Sequence, residues 1–212
     1  MRDATPQGGI DVTTQGAVTT LTLNRPDKAN ALTAGMLGDL ITAVQGARDQ
    51  KALILTGTGK VFSAGADLDA ARAGLATSPL WEDLSGAIAA FPGLSLCALN
   101  GTVAGGAFGM VLACDLRLAV PGARFFYPVM KLGFLPQPSD PARLRALAGP
   151  SAAKLILMAG QKLDAKAALR CGLVDELSEA EALVPRAHAL TEAVTAAAPT
   201  HIAAIKAMIA QD

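Results

Sequence analysis

Hydrophobic and polar residues alternate along this chain in short blocks whose period changes from one block to the next. Residues 17–23 alternate with β-branched side chains, which at a two-residue period predicts a half-buried strand. Asn24-Arg25-Pro26-Asp27-Lys28 follows as a turn. Thr33 is placed to cap a helix whose Met36, Leu37, Leu40, Ile41 and Val44 share one face at helical spacing. Residues 52–55 read as a short buried strand, closed by a turn with Gly57 and Gly59. A helix over 80–90, a strand over 94–99, a small-residue helix after Gly105-Gly106 and a strand over 116–120 complete this part. Strands alternating with helices argue for a layered α/β fold with crossovers.

From residue 138 the pattern changes. Asp140-Pro141, Pro150-Ser151 and Asp164 look like helix starts, Gly149, Gly160 and Gly172 like helix ends. The chain therefore divides into a core over 1–138 and a helical region over 139–212, within one structural domain. No linker, low-complexity segment or internal repeat is visible.

Composition narrows the function. Hydrophobic residues make up 51% and charged ones 17%, so the chain buries a core. Lys+Arg and Asp+Glu are both 18, which removes the electrostatic case for nucleic acid or an anionic membrane. Cys97, Cys114 and Cys171 form no CxxC pair, which speaks against a disulfide framework or zinc site and for a reducing cytoplasm. Met1-Arg2-Asp3-Ala4-Thr5-Pro6 lacks the apolar run of a signal peptide. The greasiest stretch, 103–114, is too short for a membrane span, which needs about 20 apolar residues.

Two Gly/Ala-rich turns stand out, at 57–68 and 100–109. The first is not a P-loop, because Val61 follows Lys60 where Ser or Thr is required and Ile54 replaces the leading glycine. Small residues let a ligand approach the main chain, and free N–H groups there can receive developing negative charge. The second turn leads into a helix, whose N-terminal end favours anions.

Taken together, Asn24-Arg25-Pro26 with Ala29-Asn30-Ala31-Leu32, then Phe62 to Leu68, then Asn100-Gly101 to Gly106 resemble the enoyl-CoA hydratase/isomerase (crotonase) family. Cys114-Asp115-Leu116-Arg117-Leu118-Ala119 and Lys131-Leu132-Gly133-Phe134-Leu135-Pro136 extend the likeness, which covers roughly residues 10–210. The resemblance implies a spiral of ββα turns with a helical C-terminal region that associates into homotrimers or hexamers. It implies a thioester oxygen held by the main-chain N–H groups of Ala66 and Gly106. The coenzyme A would lie along Lys28, Ala29 and Ala31 and along Ala64, Ala66, Asp67 and Leu68, with Lys28 at a phosphate and Asp67 fixing its loop. No separate cofactor is expected, since coenzyme A arrives as part of the substrate.

The family pattern also breaks. The resemblance places two catalytic glutamates where this chain has Gly109 and Val129, and neither side chain can move a proton. Asp140 and Tyr127 are the candidate replacements. Asp140, ahead of Pro141, also suits a helix cap, and Tyr127, the only tyrosine, also suits core packing. Glu82 and Asp83 read as a solvated helix face beside Trp81. His188 and His201 lie in the helical region, away from both turns, and no metal-ligand or Ser–His spacing is present. The family continues past the segment resembling 198–206, so the assembly geometry is an open expectation. The expected function is an acyl-CoA-binding lyase or isomerase working through an enolate. The alternatives are a non-catalytic acyl-CoA-binding paralogue, or an acyl-CoA decarboxylase or thioester hydrolase.

Overall fold

The computed structural model describes residues 9–209. It opens with β1 (Ile10–Gln15) antiparallel to β2 (Val18–Leu23), Ile10 facing Leu23. β1 was not expected from sequence, because four of its six side chains are exposed and it lacks an alternating pattern. Pairing with β2 makes it a strand. Past the 24–28 turn, α1 (Ala34–Gly46) starts where Thr33 accepts a hydrogen bond from the Met36 N–H at 3.2 Å. Its Met36, Leu37, Leu40 and Val44 are buried as the periodicity predicts.

Three ββα turns follow. β3 (Ala52–Gly57) and β4 (Val61–Ser63) lead to α2 (Leu68–Arg72) and α3 (Leu80–Ala89). β5 (Leu94–Leu99) and β6 (Thr102–Ala104) lead to α4 (Ala107–Ala113). β7 (Leu116–Ala119) and β8 (Arg124–Phe126) lead to α5 (Val129–Leu132) and α6 (Asp140–Leu157). The remaining elements are β9 (Leu163–Asp164), α7 (Ala165–Arg170), β10 (Glu176–Leu177), α8 (Ala180–Ala189), α9 (Glu192–Ala196) and α10 (Pro199–Ile209).

The first strand of each turn enters a six-stranded sheet, ordered β1-β2-β3-β5-β7-β10, and the second enters a four-stranded sheet, β4-β6-β8-β9. From β2 to β10 the first sheet is parallel, so its strands are covered on both faces and read as continuous apolar runs. The repeat is therefore in the backbone, without a recurring sequence motif. β4, β6 and β8 have three residues each; the first two lie within the expected turns at 57–68 and 100–109, and lateral partners in the second sheet make all three strands. All seven residues of α4 are buried, which its small and apolar composition permits.

The helical region contributes one two-residue strand to each sheet. α6 breaks at Gly149, φ 79° and ψ 165°, and restarts with Pro150, as the expected stop and start require. Asp164 caps α7 by accepting from the Ala167 N–H at 2.7 Å. Lys206 Nζ ties α10 to the core through Asp115 at 2.7 Å and the Gly93 carbonyl at 3.0 Å. Among the described residues no helix is long and apolar enough to cross a membrane.

Candidate active site

The two glycine-rich turns meet face to face. Gly65 has φ +88°, and a Cβ there would lie 2.7 Å from the Ala104 carbonyl oxygen, so only glycine permits this approach. The Lys28–Ala31 turn is locked beside it by buried Asn30. Asn30 accepts from the Arg25 N–H at 2.8 Å and donates to the Thr58 and Val61 carbonyls at 2.9 and 2.8 Å. The Ala64 N–H donates to the Ala29 carbonyl at 3.0 Å, and Leu32 pairs with Ala66 in a parallel bridge. Lys28 is exposed, and so is Leu68 at the start of α2.

Asp67 organises this loop. Its carboxylate accepts from the Asp69 and Ala70 N–H groups and pairs with the Arg25 guanidinium at 2.8 Å. The Arg25 hydrogen bond, then that of Ala70, hold its carboxyl below the ordinary range.

Where the turns converge lies a cavity of ≈ 220 Å³, lined by Ala64, Ala66 and Leu68 from the first turn and the start of α2, by Gly105 and Gly106 from the second turn, and by Trp81 from α3. Tyr127, Val129 and Gln137 also line it. Among the described residues, the neighbouring Gly65, Asp67 and Gly105 N–H groups all have acceptors, whereas those of Ala66 and Gly106 have none. Trp81 is pinned by its indole N–H to the Leu75 carbonyl at 2.7 Å, and a Cβ at Gly106 would press on its ring at 3.0 Å.

Asp140 departs from the helix-capping role. Ser139 occupies the N-cap of α6, and the Asp140 side chain turns inward, 0% exposed. Its Oδ2 accepts from the Tyr127 hydroxyl at 3.0 Å, while its Oδ1 is buried without a partner. A Cβ at Gly109 would lie 3.2 Å from that Oδ1, so the absence of a side chain at 109 makes room for the carboxyl. Burial lifts Asp140 to about 7, the Tyr127 hydrogen bond and Arg143 oppose the rise, and Glu82 adds to it. Burial, then the Asp140 charge, also push the Tyr127 phenol well above its usual range.

Tyr127 is buried, stacked on Phe108 at 5.4 Å, and its oxygen accepts from the Gln137 N–H at 3.3 Å. Tyr127 thus packs in the core, as one of its two readings expected, and also lines the cavity. Glu82 corrects the expectation of a solvated face, because it accepts from the Ser139 N–H at 3.2 Å and secures the start of α6. Asp83 is exposed as expected.

Neither histidine lines the cavity; His188 borders a separate open groove with Thr13, Thr20 and Thr56. Among the described residues no cluster of His, Cys, Asp or Glu is placed to hold a metal ion. No sequence motif assigns a role to Trp81, Phe108 or Gln137. Their roles depend on contacts between distant elements, and only the lone tryptophan and tyrosine offered a hint.

The enoyl-CoA hydratase/isomerase family model matches residues 13–212. YngF of Bacillus subtilis is 36% identical over 189 residues, covering 84% of this chain and 72% of that protein. The carnitinyl-CoA dehydratase of Citrobacter koseri is 34% identical over 210 residues, covering 93% of this chain and 78% of that enzyme. The crystal structure of the enoyl-CoA hydratase EchA8_6 from Mycobacterium marinum superposes with TM-score 0.87 at 30% identity, over 95% of this chain and 99% of that one. The interlocked turns, the two-sheet spiral and these matches agree: this chain belongs to the enoyl-CoA hydratase/isomerase family.

Proposed function

We propose that the chain binds an acyl-CoA thioester and activates it as an enolate, with the thioester oxygen received by the N–H groups of Ala66 and Gly106. The observation that carries this is the pair of donors without acceptors, both on residues that line one apolar cavity. Polarising a thioester carbonyl acidifies the α-proton, and one such donor contributes about 3–4 kcal/mol to holding the resulting oxyanion. The coenzyme A lies along Lys28, Ala29 and Ala31 and along the Ala64 to Leu68 edge, with the exposed Lys28 ammonium at a phosphate. It enters as part of the substrate, and no further cofactor is required. The relatives named as carnitinyl-CoA dehydratase and enoyl-CoA hydratase support an acyl-CoA substrate.

Gly109 and Val129 replace the two glutamates that the family resemblance places there, so water addition by the two-glutamate route is lost. That same replacement favours a second reading, an acyl-CoA-binding paralogue without chemistry. The free thiols of Cys97, Cys114 and Cys171 suit a reducing cytoplasm. Exposed apolar side chains beside the cavity, Leu132 and Leu135 among them, support a homotrimer or a dimer of trimers.

Calorimetric titration with crotonyl-CoA, followed by a hydration assay, tests the proposal. Binding is expected, with hydration at least about 100-fold slower than in a glutamate-bearing hydratase. Absence of binding overturns the acyl-CoA reading. Hydration at the ordinary rate overturns the role assigned to the two replaced positions.

A further inference from the structure

Tyr127 lines the same cavity as Ala66 and Gly106, and Asp140 stands behind it at hydrogen-bond distance, 3.0 Å. Gly106 and Gly109 are three residues apart at the start of α4, so they share a face one turn apart. The unpartnered Asp140 Oδ1 rests over Gly109, in the space a side chain at 109 would enter. A carboxyl carried by α6 thus occupies the position that a residue on α4 leaves open. A buried carboxyl oxygen without a partner costs stability, which a purely structural contact gives no reason to retain.

We propose that Tyr127 and Asp140 are the acid–base pair of this site, Tyr127 exchanging the proton with the acyl carbon and Asp140 storing it. This rests on the acyl-CoA reading above. In the donating direction the Tyr127 O–H bond breaks and its proton forms a C–H bond with the electron pair of the enolate. The Asp140 O–H bond breaks in turn and its proton restores the Tyr127 hydroxyl. Tyrosine ends neutral and Asp140 ends as carboxylate. The reverse sequence removes an acyl C–H proton, places the electron pair in the enolate and leaves Asp140 protonated. No co-reactant is consumed. Removing a proton from one carbon and returning it to another moves a double bond, so one stored proton is sufficient for isomerisation.

The charged groups facing Asp140 are Glu82 from α3 and Arg143 from α6, with Tyr127 from the segment after β8; α4 offers only uncharged Gly109. Their sum with burial leaves the carboxyl at about 7, where both proton states are accessible near neutrality. Tyr127 is the catalytic residue of the pair, and Asp140 acts through it.

The test is α-proton exchange of butyryl-CoA in D2O, followed by NMR on the full chain, with butyryl-CoA binding measured in parallel. The wild type is expected to exchange the α-protons with a pH inflection near 7. Tyr127→Phe and Asp140→Asn should bind butyryl-CoA but exchange at least about 100-fold more slowly, and the inflection should vanish in Asp140→Asn. Wild-type exchange rates in either binding-competent variant, or binding without exchange in the wild type, would sink the pair. Failure of the wild type to bind butyryl-CoA instead removes the underlying acyl-CoA reading, and the pair with it.

Discussion

A carboxyl with no solvent contact is costly to ionise, and Asp140 sits under that penalty with one oxygen unpaired. Its folded value of about 7 exceeds the ordinary carboxylate value, so between about pH 4 and 7 the folded state holds a proton that the unfolded chain has released. Stability therefore falls as pH rises through that window, by at most about 4 kcal/mol from this group. Asp140→Asn removes the titration. Urea unfolding at pH 5 and pH 8 should show the variant gaining relative to wild type at the higher pH; equal differences at both would contradict the assignment. The residue pattern around Asp140 pointed to a cap, since Asp before Pro is a local signal. Its actual partner, Tyr127, is set by packing between α6 and the β8 edge, which no local signal encodes. Asp67 was expected to fix its loop from the family resemblance alone; in the structure its carboxylate joins the neighbouring Asp69 and Ala70 N–H groups to the distant Arg25.

At the scale of elements, the site depends on the close approach of two short strand-to-helix connections. Gly65→Ala combines an unfavourable positive φ with a contact of 2.7 Å to a backbone oxygen. We expect a loss of at least about 2 kcal/mol and weakened acyl-CoA binding. Gly74→Ala provides the comparison, since Gly74 also has positive φ but open space around the added Cβ. It should lose only about 1–2 kcal/mol and retain binding. Equal losses in chemical unfolding would show that backbone strain, and not the approach of the turns, sets the requirement at Gly65. α1 was legible because its helical period extends over thirteen residues, and β5 because it is a six-residue apolar run. The three-residue strands β4, β6 and β8 carry too few residues for a period and exist through their lateral partners.

For the whole molecule, the exposed apolar surface carries the remaining prediction. Leu135 is 89% and Leu68 75% exposed, both at the cavity, and Met208 and Ile209 on α10 are also exposed. Large apolar side chains left exposed side by side, as Leu68 and Leu135 are at the cavity, mark an association surface. With the trimeric association that the family resemblance implies, sedimentation equilibrium should give a trimer, or twice that, of the 21.5 kDa chain; a monomer at micromolar concentration would refute the assembly. The sequence by itself determined the alternation of strands and helices, the family and the positions of the two turns, because each is written in local period or contiguous motif. Tertiary structure alone decided that the turns meet through Gly65, that the short second strands form their own sheet, and that Asp140 turns inward over Gly109 to Tyr127. Those outcomes depend on which surfaces are brought together and how much space remains between them.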